Sequence, residues 1–486
     1  MLFNSYIFIF LFLPVTLLGY TLLGKNRTLV IYWLTLASWV FYSFWNPVYF
    51  PLLLGSITVN FGLGKLIARK NSKMILIWGI GLNLALIAYY KYSGFFLSMA
   101  IPNDSPAFSL ASTILPLGIS FFTFQQIAYL VDTYKKQTVK HSFSEYALFV
   151  SFFPQLIAGP IVQQKDVLPQ FHRNKFKLNQ RLLFFGLSYF ILGLFKKVAV
   201  ADTFGQFASP LFAQAETGEA IGFIEAWSAA LAYTFQLYFD FSAYSDMAIG
   251  LALMFGIRLP LNFYSPYKAL NISDFWRRWH ITLSHFLRDY LYIPLGGNRA
   301  GKSRKYFNLI TVMLLGGLWH GAGWTFILWG GLHGIYLVIN QMWWALRDKF
   351  KLPNIPTIIS WTITFTSVVF AWVLFRSESM DMAINIWRGM IGANSFTLTL
   401  TPHTGLLGLS LLGGFIICLA LPNTHQWVIG WTSKKQRIMR KRKHGIKALY
   451  ERMPIHPLSA IILGGVCWGS LLLVQFFKSE FLYFNF

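Results

Sequence analysis

Two histidines stand where an apolar chain has little reason to carry them. Segment 314–334, LLGGLWHGAGWTFILWGGLHG, puts His320 at the end of an apolar run between Gly316, Gly317, Gly321 and Gly323, with His333 further along. Imidazole titrates near neutrality and can take a proton from a hydroxyl, while flanking glycines admit a close backbone or a thin ligand. The pattern suits a general base acting on a hydroxyl. A histidine packed between helices is the alternative. Upstream, segment 271–299 reads NISDFWRRWHITLSHFLRDYLYIPLGGNR. Spacing by three and four predicts Trp276, His280 and Ser284 on one helical face, with Asp274, Arg277 and Arg278 free to pair towards the cytoplasm. Arginines in such a place suit the phosphates of an anionic acyl donor; taken alone, the residues favour an interfacial helix anchored by Trp and Arg. Arg288, Asn298 and Trp319 complete that candidate donor-binding set. Segment 238–246, YFDFSAYSD, buries Asp240 and Asp246 in an apolar stretch, where carboxylates need partners. Arginines of the interfacial segment are the expected ones, a structural ion pair is the favoured reading over a catalytic role, and Asp240 is carried as a further member of the donor set. No HExxH, GxSxG, Walker or GxGxxG element stands in context, so no metal, bound cofactor or nucleotide chemistry is expected.

The elements that position these residues belong in a bilayer. Hydrophobic residues make up 55% of 486 and charged residues 12%, far from the roughly 25% charge of soluble domains. Apolar runs recur at 6–23, 29–44, 74–90, 182–194, 307–319, 358–375, 405–421 and 457–477, which predicts about ten to twelve crossings or half-crossings. The formal charge of +24 sits in short stretches beside these runs, Lys196 and Lys197 included, as the positive-inside rule places cytoplasmic loops. A nucleic-acid partner would need a soluble basic module, and none is present. That orientation predicts both termini in the periplasm, with a retained first helix rather than a signal peptide. Cys418 and Cys467 lie within apolar runs and suggest no disulfide or thiolate site. Residues 151–162, SFFPQLIAGPIV, carry two prolines and a glycine in an apolar context and predict a re-entrant element. The simplest organisation is one integral domain over 1–486, with core motifs at 115–345, a basic cytoplasmic loop at 430–453 and a last helix and aromatic tail at 457–486.

At these residues the chain resembles the membrane-bound O-acyltransferase (MBOAT) family, in the bacterial branch of alginate and peptidoglycan O-acetylation and teichoic acid D-alanylation proteins. Segments 115–134, 152–162, 238–250, 275–299 and 314–334 carry the resemblance in order and spacing. It implies an all-α integral membrane protein, a ring of tilted transmembrane and re-entrant helices around a funnel and a tunnel. His320 then matches the family's catalytic histidine and His280 its second polar residue. It also implies an inner-membrane enzyme that takes acetyl from cytoplasmic acetyl-CoA, or from an acyl carrier protein, and passes it to a periplasmic SGNH/GDSL-type partner for O-acetylation of a cell-envelope polysaccharide. The tail 481–486, FLYFNF, is similar to the Tyr-containing terminal motif of the accessory peptide in D-alanylation systems. Tyr483 is therefore a candidate acyl acceptor, with an interfacial aromatic anchor as the alternative. Two rivals remain: acylation of a protein or lipid hydroxyl, and a transporter, which would need inverted repeats that the sequence lacks.

Overall fold

A computed structural model describes residues 1–99, 115–172, 176–299, 301–396, 402–430, 457–475 and 481–482. Among these residues the chain is helical and contains no strand. Helices satisfy their own backbone hydrogen bonds and so tolerate an apolar surrounding. Helices over Pro47–Lys70, Lys73–Leu97, Gln180–Glu216 and Thr357–Arg376 are long and apolar enough to cross a bilayer, and shorter apolar helices cover Phe8–Leu23, Gly405–Ala420 and Ala460–Val474. Leu22, Trp78 and Ile461 are 72%, 73% and 72% exposed, as lipid-facing side chains would be.

The chain divides into two compact units: Met1–Phe195 with Ala243–Leu261 and Thr424–Asn485, and Lys196–Ser242 with Asn262–Asn423 and Phe486. In the first, Ser142 and Glu145 form a capping box that starts the helix Phe143–Ser151. Residues 152–162 then leave helical geometry while staying buried throughout. The Phe153 amide donates to Ser38 Oγ at 3.0 Å, and Gln155 Nε2 donates to the Phe149 carbonyl at 2.7 Å. Gly118, at φ +73°, lies so close to this segment that a Cβ there would sit 2.8 Å from the Leu156 oxygen. The expected irregular segment is thus enclosed by protein. Phe481 is also buried in this unit, its ring edge-on to Tyr244 at 4.9 Å. Tyr483 and the basic loop beyond Gly430 lie outside the described residues.

In the second unit, Lys196–Ala201 is a π-helical turn followed directly by the helix Asp202–Glu216. Lys197 is therefore no loop cation, contrary to the sequence expectation. Wound into a helix, it points inward and meets two carboxylates, Asp202 at 2.8 Å and Asp240 at 2.6 Å. All three side chains are 4% exposed or less.

Candidate functional site

His320 is the last residue of the helix Lys302–His320, and the chain returns through the helix Trp324–Phe350 after Gly321 and Gly323 in extended conformation. The two helices cross with almost no side chain between them. A Cβ on Gly330 would lie 2.2 Å from the Met313 carbonyl oxygen, and one on Gly317 would lie 2.2 Å from the Phe326 oxygen. Gly317 and Gly330 thus serve close backbone approach, which fixes the height of His320 in the unit. Its side chain is buried, 3% exposed. Around its ring stand Trp319 at 4.9 Å, Trp329 edge-on at 5.1 Å and Phe375 at 5.2 Å.

The structure brings His280 to the same place, with ring centres 6.2 Å apart. The predicted continuous face of Trp276, His280 and Ser284 does not exist. The helix Ile272–Arg278 stops at Trp279, His280 takes φ +41°, and a second helix covers Ile281–Leu287. A left-handed histidine persists only where its surroundings over-determine it. Here the Ile281 amide donates to the Asn262 carbonyl at 2.9 Å and the Tyr264 amide to the Arg278 carbonyl at 2.9 Å, while Ser284 Oγ donates to the Trp276 carbonyl at 3.1 Å. Asn262 Oδ1 accepts from the Thr282 amide at 3.3 Å and from Thr282 Oγ at 2.9 Å, and lies 3.1 Å from His280 Nδ1. The Thr282 amide can only donate, so the Asn262 oxygen faces this way and Nδ1 carries the proton. A neutral His280 therefore keeps its Nε2 lone pair. Phe241 closes the other side, edge-on to the His280 ring at 4.8 Å.

The remaining candidates separate. Arg278 pairs with Asp274 at 2.9 Å as expected, and Arg277 is exposed beside it. Arg288 grips its neighbour Asp289 through two bonds of 2.7 and 3.1 Å, and this hydrogen bonding raises the guanidinium pKa further. Asn298 is exposed and accepts a hydrogen bond from Tyr292. Trp319 is buried beside both histidines, 6.2 Å from His280. Trp276 is buried against His333 and Trp329. Asp240 does not meet the interfacial arginines: it belongs to the Lys197 and Asp202 cluster, because Lys197 turns inward on the π turn. Sequence reasoning missed Asn262, Trp329, Phe375 and Trp372, whose ring stacks on Trp329 at 5.6 Å. The last two read as part of an apolar run, although their spacing of three beside Arg376 was a usable signal.

Comparison with known proteins bears on the same residues. Residues 112–378, which hold both histidines, match the model of the membrane-bound O-acyltransferase family. The chain is 48% identical over 431 residues to the peptidoglycan O-acetyltransferase of Helicobacter pylori, covering 82% of this chain and 81% of that protein. It is 41% identical over 423 residues to the probable alginate O-acetylase AlgI of Pseudomonas aeruginosa, covering 85% and 79%. With the teichoic acid D-alanyltransferase of Streptococcus thermophilus the identity is 30% over 292 residues, 55% of this chain and 69% of that one.

Proposed function

Because the chain belongs to the membrane-bound O-acyltransferase family and is a multi-pass membrane acyltransferase, we propose that it moves acetyl from cytoplasmic acetyl-CoA to the outer face of the inner membrane for O-acetylation of an envelope polysaccharide of the peptidoglycan or alginate class. The observation that carries this reading is the meeting of His320 and His280 in one buried, aromatic-walled place. His320 takes the proton of the acceptor hydroxyl, whose oxygen attacks the thioester carbonyl. The new C–O bond forms, the C–S bond breaks, and the leaving thiolate recovers the proton from the imidazolium. His280, its Nδ1 held by Asn262, lines the same place with its ring centre 6.2 Å from that of His320.

The first acceptor is Tyr483. A phenol with a pKa near 10 needs a base to attack and is a good leaving group in the next step. Phe481, anchored on Tyr244, supports the reading by holding the start of the tail in the folded unit. A periplasmic SGNH-type partner then carries acetyl from the phenol to the sugar. Both termini face the periplasm in this scheme.

The test is the O-acetyl content of envelope polysaccharide in cells carrying His320→Ala at matched membrane levels. Loss of a general base costs about 10²–10⁴ in rate, so acetylation should fall below detection. Unchanged acetylation would make His320 structural and end the reading.

A further inference from the structure

The helices Trp324–Phe350 and Thr357–Arg376, joined by the short link 351–356, line a cavity of about 590 Å³ together with residues 270–272. On the first helix the lining recurs at helical spacing from Tyr336 to Arg347, and on the second from Ser360 to Ser367. None of the residues around His320 and His280 lines it. Its mouth faces lipid. Ile339 and Ile363, both in the lining, are 58% and 56% exposed, and Ile335, Met342 and Ile359 are exposed beside them on the same helices. Such surface belongs against hydrocarbon in a membrane protein, so an occupant arrives sideways from the bilayer.

The cavity changes character along its length. Trp343, Trp344, Arg347 and Asn354 stand near the end of the first helix that carries Lys349 and Lys351, the end the positive-inside rule puts in the cytoplasm. Tryptophans there mark the headgroup level. Arg347 Nε and Nη2 donate to Asp348 Oδ1 at 3.0 and 2.8 Å, and Nη1 donates to Asn354 Oδ1 at 3.2 Å. The Asp348 side chain is 68% exposed, so this is a surface pair of small worth. A guanidinium with five N–H groups keeps donors for a phosphate. About 10 Å further along the helix is Asn340. Ser273 Oγ donates to its Oδ1 at 2.7 Å, and the Asp274 amide donates to Asn271 Oδ1 at 2.8 Å. The side-chain nitrogens of Asn271 and Asn340 thus remain as donors in the lining and bond to none of the described residues.

These groups match the parts of a glycerophospholipid in order: a cation at the headgroup level for phosphate, amide nitrogens for ester carbonyls, and lipid-facing isoleucines for acyl chains. Within 347–351 three cations stand against the single carboxylate of Asp348, and basic pockets between helices on the cytoplasmic side favour anionic headgroups. We propose that this cavity is a binding site for one anionic glycerophospholipid of the cytoplasmic leaflet, its phosphate on Arg347 and its chains along Ile339 and Ile363. The site stands apart from the proposed acyl transfer and does not depend on it.

The test uses the full chain, purified in detergent and stripped of lipid, with phosphatidylglycerol, phosphatidylethanolamine, inorganic phosphate and acetyl-CoA as separate probes. Native mass spectrometry and the thermal midpoint are the readouts. Phosphatidylglycerol should be retained at one copy per chain and raise the midpoint, and phosphatidylethanolamine should do neither. Arg347→Gln should weaken phosphatidylglycerol binding about tenfold, and Arg347→Lys should recover part of the loss. Ile363→Trp, which adds bulk at the exposed mouth, should abolish binding while the lipid-free midpoint stays near wild type. Equal binding of the two lipids, or displacement of phosphatidylglycerol by inorganic phosphate or acetyl-CoA, overturns the lipid assignment. Unchanged affinity in both Arg347→Gln and Ile363→Trp overturns the place. Should Ile363→Trp fail to fold, phosphatidylglycerol with a photoactivatable acyl chain replaces it: cross-links within 336–344 or 360–367 support the site, and cross-links elsewhere alone overturn it.

Discussion

Adding one methyl group at Gly330 tests whether His320 is positioned by the helix crossing. A Cβ there would lie 2.2 Å from the Met313 carbonyl oxygen, whereas ordinary contact begins at 3.4 Å. The neighbour is backbone, so no rotamer can yield, and the helices must separate by about 1.2 Å, the difference between those two distances. Overpacking of this kind costs about 1–3 kcal/mol of stability. Its effect on activity is larger, because His320 sits seven residues beyond Met313 on the displaced helix, and a shift of about 1 Å at a reacting group costs about 10²-fold. The assay is thiol release from acetyl-CoA by purified Gly330→Ala protein, normalised to folded protein, with Gly464→Ala as control, since a Cβ at Gly464 meets nothing within 4 Å. The expected result is a fall of about 10²-fold for Gly330→Ala and none for the control. Equal activity in both would refute the claim that the glycine crossing sets the height of His320.

Three further outcomes follow from contacts in the same protein. Lys197→Met leaves Asp202 and Asp240 buried without their shared cation, and breaking a buried pair costs about 3–5 kcal/mol; the thermal midpoint should drop, and the triple change with Asp202→Asn and Asp240→Asn should recover part of it. Asn262→Leu removes the acceptor for Thr282 and His280 Nδ1, so the His280 tautomer is no longer fixed; kcat should fall at least tenfold, and Asn262→Asp, which keeps an acceptor, should retain more activity than Leu in the same assay. Tyr483→Phe should abolish polysaccharide acetylation in cells while the protein remains in the membrane, and full acetylation would return the tail to the role of an interfacial anchor.

The class of fold was legible because bilayer chemistry leaves few options: long apolar runs must be helices, and every run named from the sequence overlaps one. His320 was legible because imidazole and glycine together are conspicuous at the end of such a run. His280 was found, yet its geometry was not. Helical spacing assumes a continuous helix, and nothing in WRRWHITLS announces a left-handed residue that is neither glycine nor asparagine. Its cause is tertiary, in backbone bonds to Asn262 and Tyr264 that lie well upstream. The partner of Asp240 was misplaced for a similar reason. Lys196 and Lys197 followed by apolar residues read as a loop, and only a π turn, which has no simple residue signature, carries Lys197 inward.

Both histidines stand where a helix is interrupted, and this placement argues for function beyond their residue type. Ending a helix in apolar surroundings leaves backbone carbonyls short of partners, a cost that membrane proteins accept only where protein or a cavity compensates it. The helix ending at His320 gives up its hydrogen bonding within a few residues of Gly321, and the chain needs the extended residue Gly323 before helix resumes. A packing histidine would be cheaper in an unbroken helix. A base gains from the break, because the carbonyl end of a helix favours the cation that forms when imidazole takes a proton, by about 0.3–1 kcal/mol at exposed sites and up to ~2 in partly buried ones. At His280 the interruption instead turns the ring out of the helical register and towards His320, at the expense of a strained φ of +41°. Two separate breaks that converge on one pair of rings are what a site for proton transfer requires, and a core built for stability alone would have avoided both.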